Sequence, residues 1–171
     1  MAAQLSRARS KVEIDMRKRQ ISPSPQSEPP SSSIWLDVEH KAVVEVTSEE
    51  SGFPIESALL GVEGGWRAAA AGTQTIRLIF DEPQRLRRIW LVFEDSENAR
   101  TQEFVLRWSS DGGDSFREIV RQQWNFSPPE SVQEIEDYAV ELSAVTTLEL
   151  VIVPDKSAGA ARASLAGLRL A

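Results

Sequence analysis

A single histidine, His40, and the complete absence of cysteine set the chemical reach of this chain. One imidazole in a short turn cannot build a Ser-His-Asp arrangement or a multi-histidine metal centre, and without thiols there is neither a sulfur nucleophile nor a thiolate ligand. Gly61-Val62-Glu63-Gly64-Gly65 lacks the Lys-Ser or Lys-Thr ending of a phosphate-cradling loop, and it follows a helical turn instead of a strand. Acids are plentiful. Glu49-Glu50, Glu94-Asp95 and Glu136-Asp137, however, are adjacent charges in loop-like stretches, where solvated surface is the expected reading and nothing marks two of them as facing one substrate. No catalytic residue and no enzyme activity are expected.

Binding chemistry is better supplied. Of the five tryptophans, Trp35, Trp90 and Trp108 fall in strand-like runs that explain them as residues in or beside a core. Trp66 and Trp124 fall in or next to loops, with Arg67 beside the first and Gln122, Gln123 and Asn125 beside the second. A flat aromatic face edged by guanidinium and amide groups suits a sugar ring, whose C–H face stacks while its hydroxyls take directional hydrogen bonds. The candidate site is therefore Trp66, Arg67, Arg100, Trp124, Asn125 and Phe126, with the two arginines on hydroxyls or a carboxylate and the aromatics stacking. In the competing reading Trp66, and Trp124 with Phe126, pack as structure.

These residues need a scaffold, and the alternation of apolar residues predicts one made of strands. Ile76, Leu78 and Phe80 share one face of a strand, and Ile89, Leu91 and Phe93 repeat the spacing, with Asp81-Glu82-Pro83-Gln84 expected as the turn between them. The Gly- and Ala-rich stretch carrying Trp66 and Arg67 is expected as a loop at one end. Ile34–Val38 and Val43–Val46 read as strands, and Ile55 to Leu60 as one or two helical turns stopped by Gly61. Ser110-Asp111-Gly112-Gly113-Asp114 is a strong hairpin signal between a strand around Phe104–Trp108 and a returning one over Phe116–Trp124. Asn125 to Glu136 is expected as a long loop. Tyr138–Leu142, Leu148–Val153 and Ala163–Leu170 complete about eight or nine short strands, so the fold expected is an all-β jelly-roll sandwich.

Length and charge set the remaining bounds. The 171 residues suffice for one ordinary domain plus a tail. Residues 1–33 hold six Lys and Arg against three acids, whereas the rest holds thirteen against twenty-three. An acidic body repels a phosphate backbone, which disfavours nucleic acid as the main ligand. Within 21–33, Pro23, Pro25, Pro29 and Pro30 among serines predict a linker that joins neither helix nor sheet. Residues 1–33 are thus expected as a basic leader and linker, and 34–171 as the domain. No secretory signal and no apolar run of about 18 residues is visible, so a cytoplasmic protein without a membrane span is the default expectation.

Several features in order resemble one family. These are a short Ser57-Ala58-Leu59 helical turn, a Gly-rich stretch with Trp66, a strand ending Phe80-Asp81-Glu82-Pro83, the run Arg87-Arg88-Ile89-Trp90-Leu91 and the Ser109-Ser110-Asp111-Gly112-Gly113 hairpin. Together they resemble the discoidin, or coagulation-factor C-type, domains, which group with the galactose-binding-like sandwiches and many carbohydrate-binding modules. The likeness implies a non-catalytic binding module with its site on end loops, and carbohydrate as the ligand. Those families often place an Asp-Gly pair beside a structural calcium ion; here the place reads Leu60-Gly61, so neither metal nor cofactor is expected. A shorter stretch, Gly65 to Ile76, resembles the amino-terminal domains of animal single-strand-break repair scaffolds. That second likeness implies DNA breaks as a third reading, after the alternative of a protein partner docked on the same end loops or on the basic leader, which the lack of an export signal favours. Limited proteolysis is expected to trim the leader and leave a stable fragment of about 138 residues starting near Ile34; a fragment without a cooperative melt would show that the leader belongs to the fold.

Overall fold

The computed structural model describes residues 35–171. The expected leader and linker over 1–33 lie outside the described residues, as does Ile34. The described elements are β1 (Ala42–Val46), α1 (Ile55–Leu60), β2 (Trp66–Ala71), β3 (Gln74–Glu94), β4 (Arg100–Ser109), β5 (Arg117–Phe126), β6 (Gln133–Val153), β7 (Arg162–Leu165) and β8 (Gly167–Leu170). All strand pairs are antiparallel.

Two strands of 21 residues organise the sheet. The first part of β3, Gln74 to Ile79, pairs with the end of β6, whereas Gln84 to Glu94 pairs with its beginning, from Val145 back to Gln133. Register shifts between Ile79 and Arg88 on β3, and Ala144 at φ 60 on β6, mark where the ladder bends. One half of the pair lies in the order β1-β3-β6-β4-β5, while the other half takes β8 as its further neighbour on β3. The same pair thereby serves both layers of the sandwich. Phe93 of one layer stacks on Phe104 of the other, with centroids 5.1 Å apart.

This corrects the expected hairpin. The two apolar runs of β3 do not pair with each other; Pro83 marks a missing backbone donor, which a bulged and bent strand accommodates as well as a turn does. The stretch after Gly65 is likewise no loop. Trp66 to Ala71 forms β2, paired with β7, because alternate residues Trp66 and Ala68 are buried while Arg67 and Ala69 face out. Gly65 has φ +60, and a Cβ there would stand 2.5 Å from the Leu165 carbonyl oxygen, so only glycine admits this approach of β2 to β7. Residues 35–38 form no strand, although the Leu36 N–H donates to the Leu170 carbonyl at 2.7 Å. Helix α1 ends where expected: Gly61 is left-handed, and the Val62 N–H reaches back to the Ser57 carbonyl. At its other end the Glu49 carboxylate accepts the Ile55 N–H at 2.7 Å, a cap that Pro54 cannot supply.

The inner faces carry Ile76, Leu78, Leu91, Phe93, Phe104, Leu106, Leu148, Leu150 and Ile152 in one buried cluster. On the outer face, register sets Glu45, Arg77, Glu149, Arg107 and Glu118 side by side across five strands, alternating in sign. Glu149 at the centre has a side chain 0% exposed; it accepts from Arg77 Nε at 2.8 Å and from Arg107 Nε at 2.5 Å. Phe116 covers the row, 4.8 Å from the Arg107 guanidinium.

Two stability outcomes are expected. Trp66→Ala removes a core ring and should cost about 3 to 5 kcal/mol in denaturant unfolding; a cost near zero would place the ring outside the core. Glu149→Gln keeps the shape but removes the central charge, and because both arginines are over a third exposed the loss should be about 1 to 3 kcal/mol.

Candidate functional site

At one end of the β4–β5 ladder the structure opens a cleft of about 700 Å³, lined by Ala99, Arg100, Thr101, Asn125, Phe126, Ser127, Asp155, Lys156 and Ser157. Three strand ends converge on it. Arg100 starts β4 directly opposite Phe126, which ends β5, and Thr101 stands opposite Asn125. The segment after β6 is fastened alongside, because the Lys156 N–H donates to the Thr101 carbonyl at 2.8 Å. A volume of this size fits a small ligand.

The floor is rigid. Arg100 is almost fully buried: Nε donates to Asp95 Oδ2 at 2.6 Å, and Nη1 to Gln102 Oε1 at 3.0 Å and to the Pro154 carbonyl at 2.5 Å. Its guanidinium lies 4.7 Å from the centroid of the buried Phe126 ring. Burial pushes the Asp95 carboxyl up, but the Arg100 hydrogen bond and the backbone N–H groups of Asn98 and Glu97 outweigh it and hold the group below the usual carboxylate range. Arg100 and Phe126 therefore brace the cleft from beneath. Their expected roles, hydroxyl contact and stacking, are corrected on physical grounds, since Nε and Nη1 of Arg100 are committed internally and Phe126 is 1% exposed.

The walls are polar. Thr101 Oγ1 donates to Asn125 Oδ1 at 2.7 Å, which fixes the amide and leaves its N–H groups uncommitted among the described residues. Lys156 Nζ lies 3.2 Å from Glu103 Oε2, and Ser157 Oγ donates to Asp155 Oδ1 at 2.6 Å. The Ser157 hydroxyl and N–H hold Asp155 ionised and below its usual range. Residues bearing hydroxyl, amide, ammonium and carboxylate groups thus line one small volume, the Lys156 ammonium being paired with Glu103.

The other expected site residues lie elsewhere. Trp66 is 1% exposed and cannot stack on a ligand. Arg67 is exposed on β2, 4.4 Å over the Phe53 ring and 3.9 Å from Glu50, and does not line the cleft. Trp124 is half-buried against the core, opposite Gln102, with its indole N–H inside the sandwich. Both tryptophans follow the core reading because each lies on the inward parity of its strand. Thr101, Ser127, Asp155, Lys156 and Ser157 were not anticipated; for the last three, the Pro154-Asp155-Lys156-Ser157 turn signal after an alternating strand is the feature that could have found them.

Asp37, Glu39 and His40 stand together at the surface, and their ligand atoms lie within 4.8 Å of one another. His40 is exposed, and its Nδ1 stands 2.8 Å from Asp37 Oδ2, whose hydrogen bond raises the imidazole above its ordinary value. The α1 end does not fit calcium: the Arg169 guanidinium lies against Gly61, with Nη1 donating to the Leu59 carbonyl, and its positive charge repels a cation there. Among the described residues no helix is long and apolar enough to cross a membrane.

No family model matches the sequence, and no curated protein sequence matches it. Solved structures do share its architecture. A pectin-binding carbohydrate-binding module aligns with TM-score 0.54 and 15% identity over 76% of this chain and 89% of its own. The family 32 module of Clostridium perfringens NanJ, solved with galactose, aligns with TM-score 0.53 and 16% identity over 77% of this chain and 94% of its own. Reduced XRCC1, bound to the catalytic domain of DNA polymerase β, aligns with TM-score 0.51 and 15% identity over 77% of this chain and 94% of its own. The fold of this chain is accordingly the galactose-binding-like, discoidin-type β-sandwich that its sequence resembles.

Proposed function

We propose that this chain is a non-catalytic carbohydrate-binding module that holds its ligand in the cleft at the β4–β5 end. The observation that carries this reading is the convergence of Thr101, Asn125, Ser127, Asp155, Lys156 and Ser157 around one small volume above a braced floor. A sugar presents hydroxyls that both donate and accept in fixed directions. Amide N–H and ammonium groups supply donors, a carboxylate supplies acceptors, and serine and threonine hydroxyls supply both. Two carbohydrate-binding modules of the same fold support the reading. Because the nearest aromatic ring is buried, affinity rests on hydrogen bonds, and a dissociation constant in the millimolar range, about 4 kcal/mol of binding free energy, is expected.

A protein-docking role is the second reading, favoured by the solved complex in which this fold holds a polymerase domain. Calorimetric or NMR titration separates the two. Galactose and galacturonate are expected to bind the wild type, with Asn125→Ala and Lys156→Ala each weakening binding about tenfold, or 1.4 kcal/mol, at unchanged melting temperature. Arg67→Ala should bind as the wild type does. Uniform absence of sugar binding at tens of millimolar would contradict the carbohydrate reading and leave the protein-docking one.

A further inference from the structure

Beneath the cleft a second set of polar side chains is enclosed by the sandwich. Glu134 on β6 stands opposite Phe93 of β3, is 1% exposed, and has no hydrogen-bond partner for either carboxyl oxygen among the described residues. Gln102 of β4, equally buried, gives its Oε1 to Arg100, and its amide lies close enough to Glu134 to favour the ionised carboxyl, although Nε2 closes no well-formed hydrogen bond among the described residues. Trp124 of β5 is opposite Gln102, and its Nε1 is buried without an acceptor. Phe93, the ladder neighbour of Glu134, stacks on Phe104, two residues along β4 from Gln102 on the same face. Three unpartnered polar groups therefore come from three strands of the same interior.

The charged and titratable groups around Glu134 are few. From its own strand come Glu136 and Tyr138, whose hydroxyl donates to Glu136 Oε2 at 2.7 Å. From β4 comes Arg100, whose charge is already matched by Asp95. Phe93 of β3 and Trp124 of β5 bring no charge. Burial first, and then the neighbouring Glu136, push the Glu134 carboxyl up to about 8, whereas Arg100 and Gln102 oppose the rise. Burial likewise raises Tyr138, so its phenol stays protonated across the neutral range.

The strand carrying these acids has fewer ladder neighbours in its first half than in its second among the described residues. Among the described residues, 133–142 of β6 pair only with β3, whereas 147–153 lie between β3 and β4. Ala144 at φ 60 and the register shifts opposite it separate the two halves. We infer that Glu134 is the trigger of a conformational switch, in which loss of its proton parts residues 133–142 of β6 from the β4–β5 hairpin and loosens Arg100 under the cleft. A carboxylate beside Glu136 with only the Gln102 amide to offset it is costly in the interior, and the half-strand held by one ladder among the described residues yields first. The effect on ligand binding rests on the cleft reading above; the switch itself does not.

The sign follows from linkage. Between the ordinary value of 4.5 and about 8, the folded protein holds a proton that the unfolded chain has released. Stability present below that window is lost as pH rises through it, with the unfolding constant growing up to about tenfold per pH unit. Tryptophan fluorescence and amide hydrogen exchange of the full chain, followed from about pH 6 to about pH 9.5, test this without any ligand. The wild type is expected to show one step below about 8 in Trp124 emission and in exchange of residues 133–142, because opening frees the carboxyl and draws the midpoint down from the closed-state value. Glu134→Gln should abolish both, Glu136→Gln should move the step to lower pH, and Trp124→Phe should remove the optical step while keeping the exchange step. A step that persists in Glu134→Gln, or no step in a cooperatively folded wild type, would overturn the switch. So would a step displaced by millimolar calcium, which would make the two carboxylates a cation site instead.

Discussion

The constraint on which this structure depends is that one pair of antiparallel strands, β3 with β6, runs through both layers of the sandwich. A bent ladder keeps its backbone N–H and C=O groups paired while turning the same two strands from one sheet into the other, so the core closes without a buried loop. The inward residues on either side of the bend meet across the layers, as the stack of Phe93 on Phe104 shows. Everything else attaches to that pair: β1 and β4 flank one half and β8 the other, and β5 adds to β4. The buried Glu149 clamps the same region from outside, because two guanidiniums from β3 and β4 share one carboxylate on β6.

This arrangement explains why the cleft lies where it does. Strands β4 and β5 extend as a hairpin beyond the shared pair, and their open ends bring Thr101 beside Asn125 and Arg100 beside Phe126. Arg100 then acts as a strut, holding the Asp95 loop, the Pro154 carbonyl and the Phe126 ring at fixed positions. A floor locked by charge-assisted hydrogen bonds leaves little ordering to be done when a ligand arrives. Polar side chains on such a floor can discriminate hydroxyl patterns even where no aromatic ring is available for stacking.

Much of the fold was legible in the sequence. Alternation at Ile76-Leu78-Phe80 and at Ile89-Leu91-Phe93 identified the inward face of β3, Gly61 stopped α1, and the Asp111-Gly112-Gly113 turn set the β4–β5 hairpin. What failed did so for a common reason, since local signals do not say which strand a residue pairs with. Pro83 looked like a turn because a missing donor has the same local signature in a bulge. Trp66 looked like a loop residue because alanine and glycine dilute the alternation of β2. For the site, Arg100, Asn125 and Phe126 were named from sequence and do come together, but the burial of Arg100 and Phe126 depends on Asp95, Gln102 and Pro154, which no spacing rule connects to them. Glu134 gave no signal at all, as an acid in a stretch expected to be a long loop reads as solvent-facing until the register of β6 places it opposite Phe93.

The central claim is that the ligand sits in the cleft at the β4–β5 end. Mapping amide chemical-shift changes on the isotopically labelled protein during titration with a simple sugar tests it most directly, because each residue reports for itself. Saturable shifts confined to Thr101, Asn125, Ser127, Lys156 and Ser157 are the result this account predicts. Shifts centred instead on Arg67, Phe53 and the β2–β7 pair would contradict it and move the site to the other sheet.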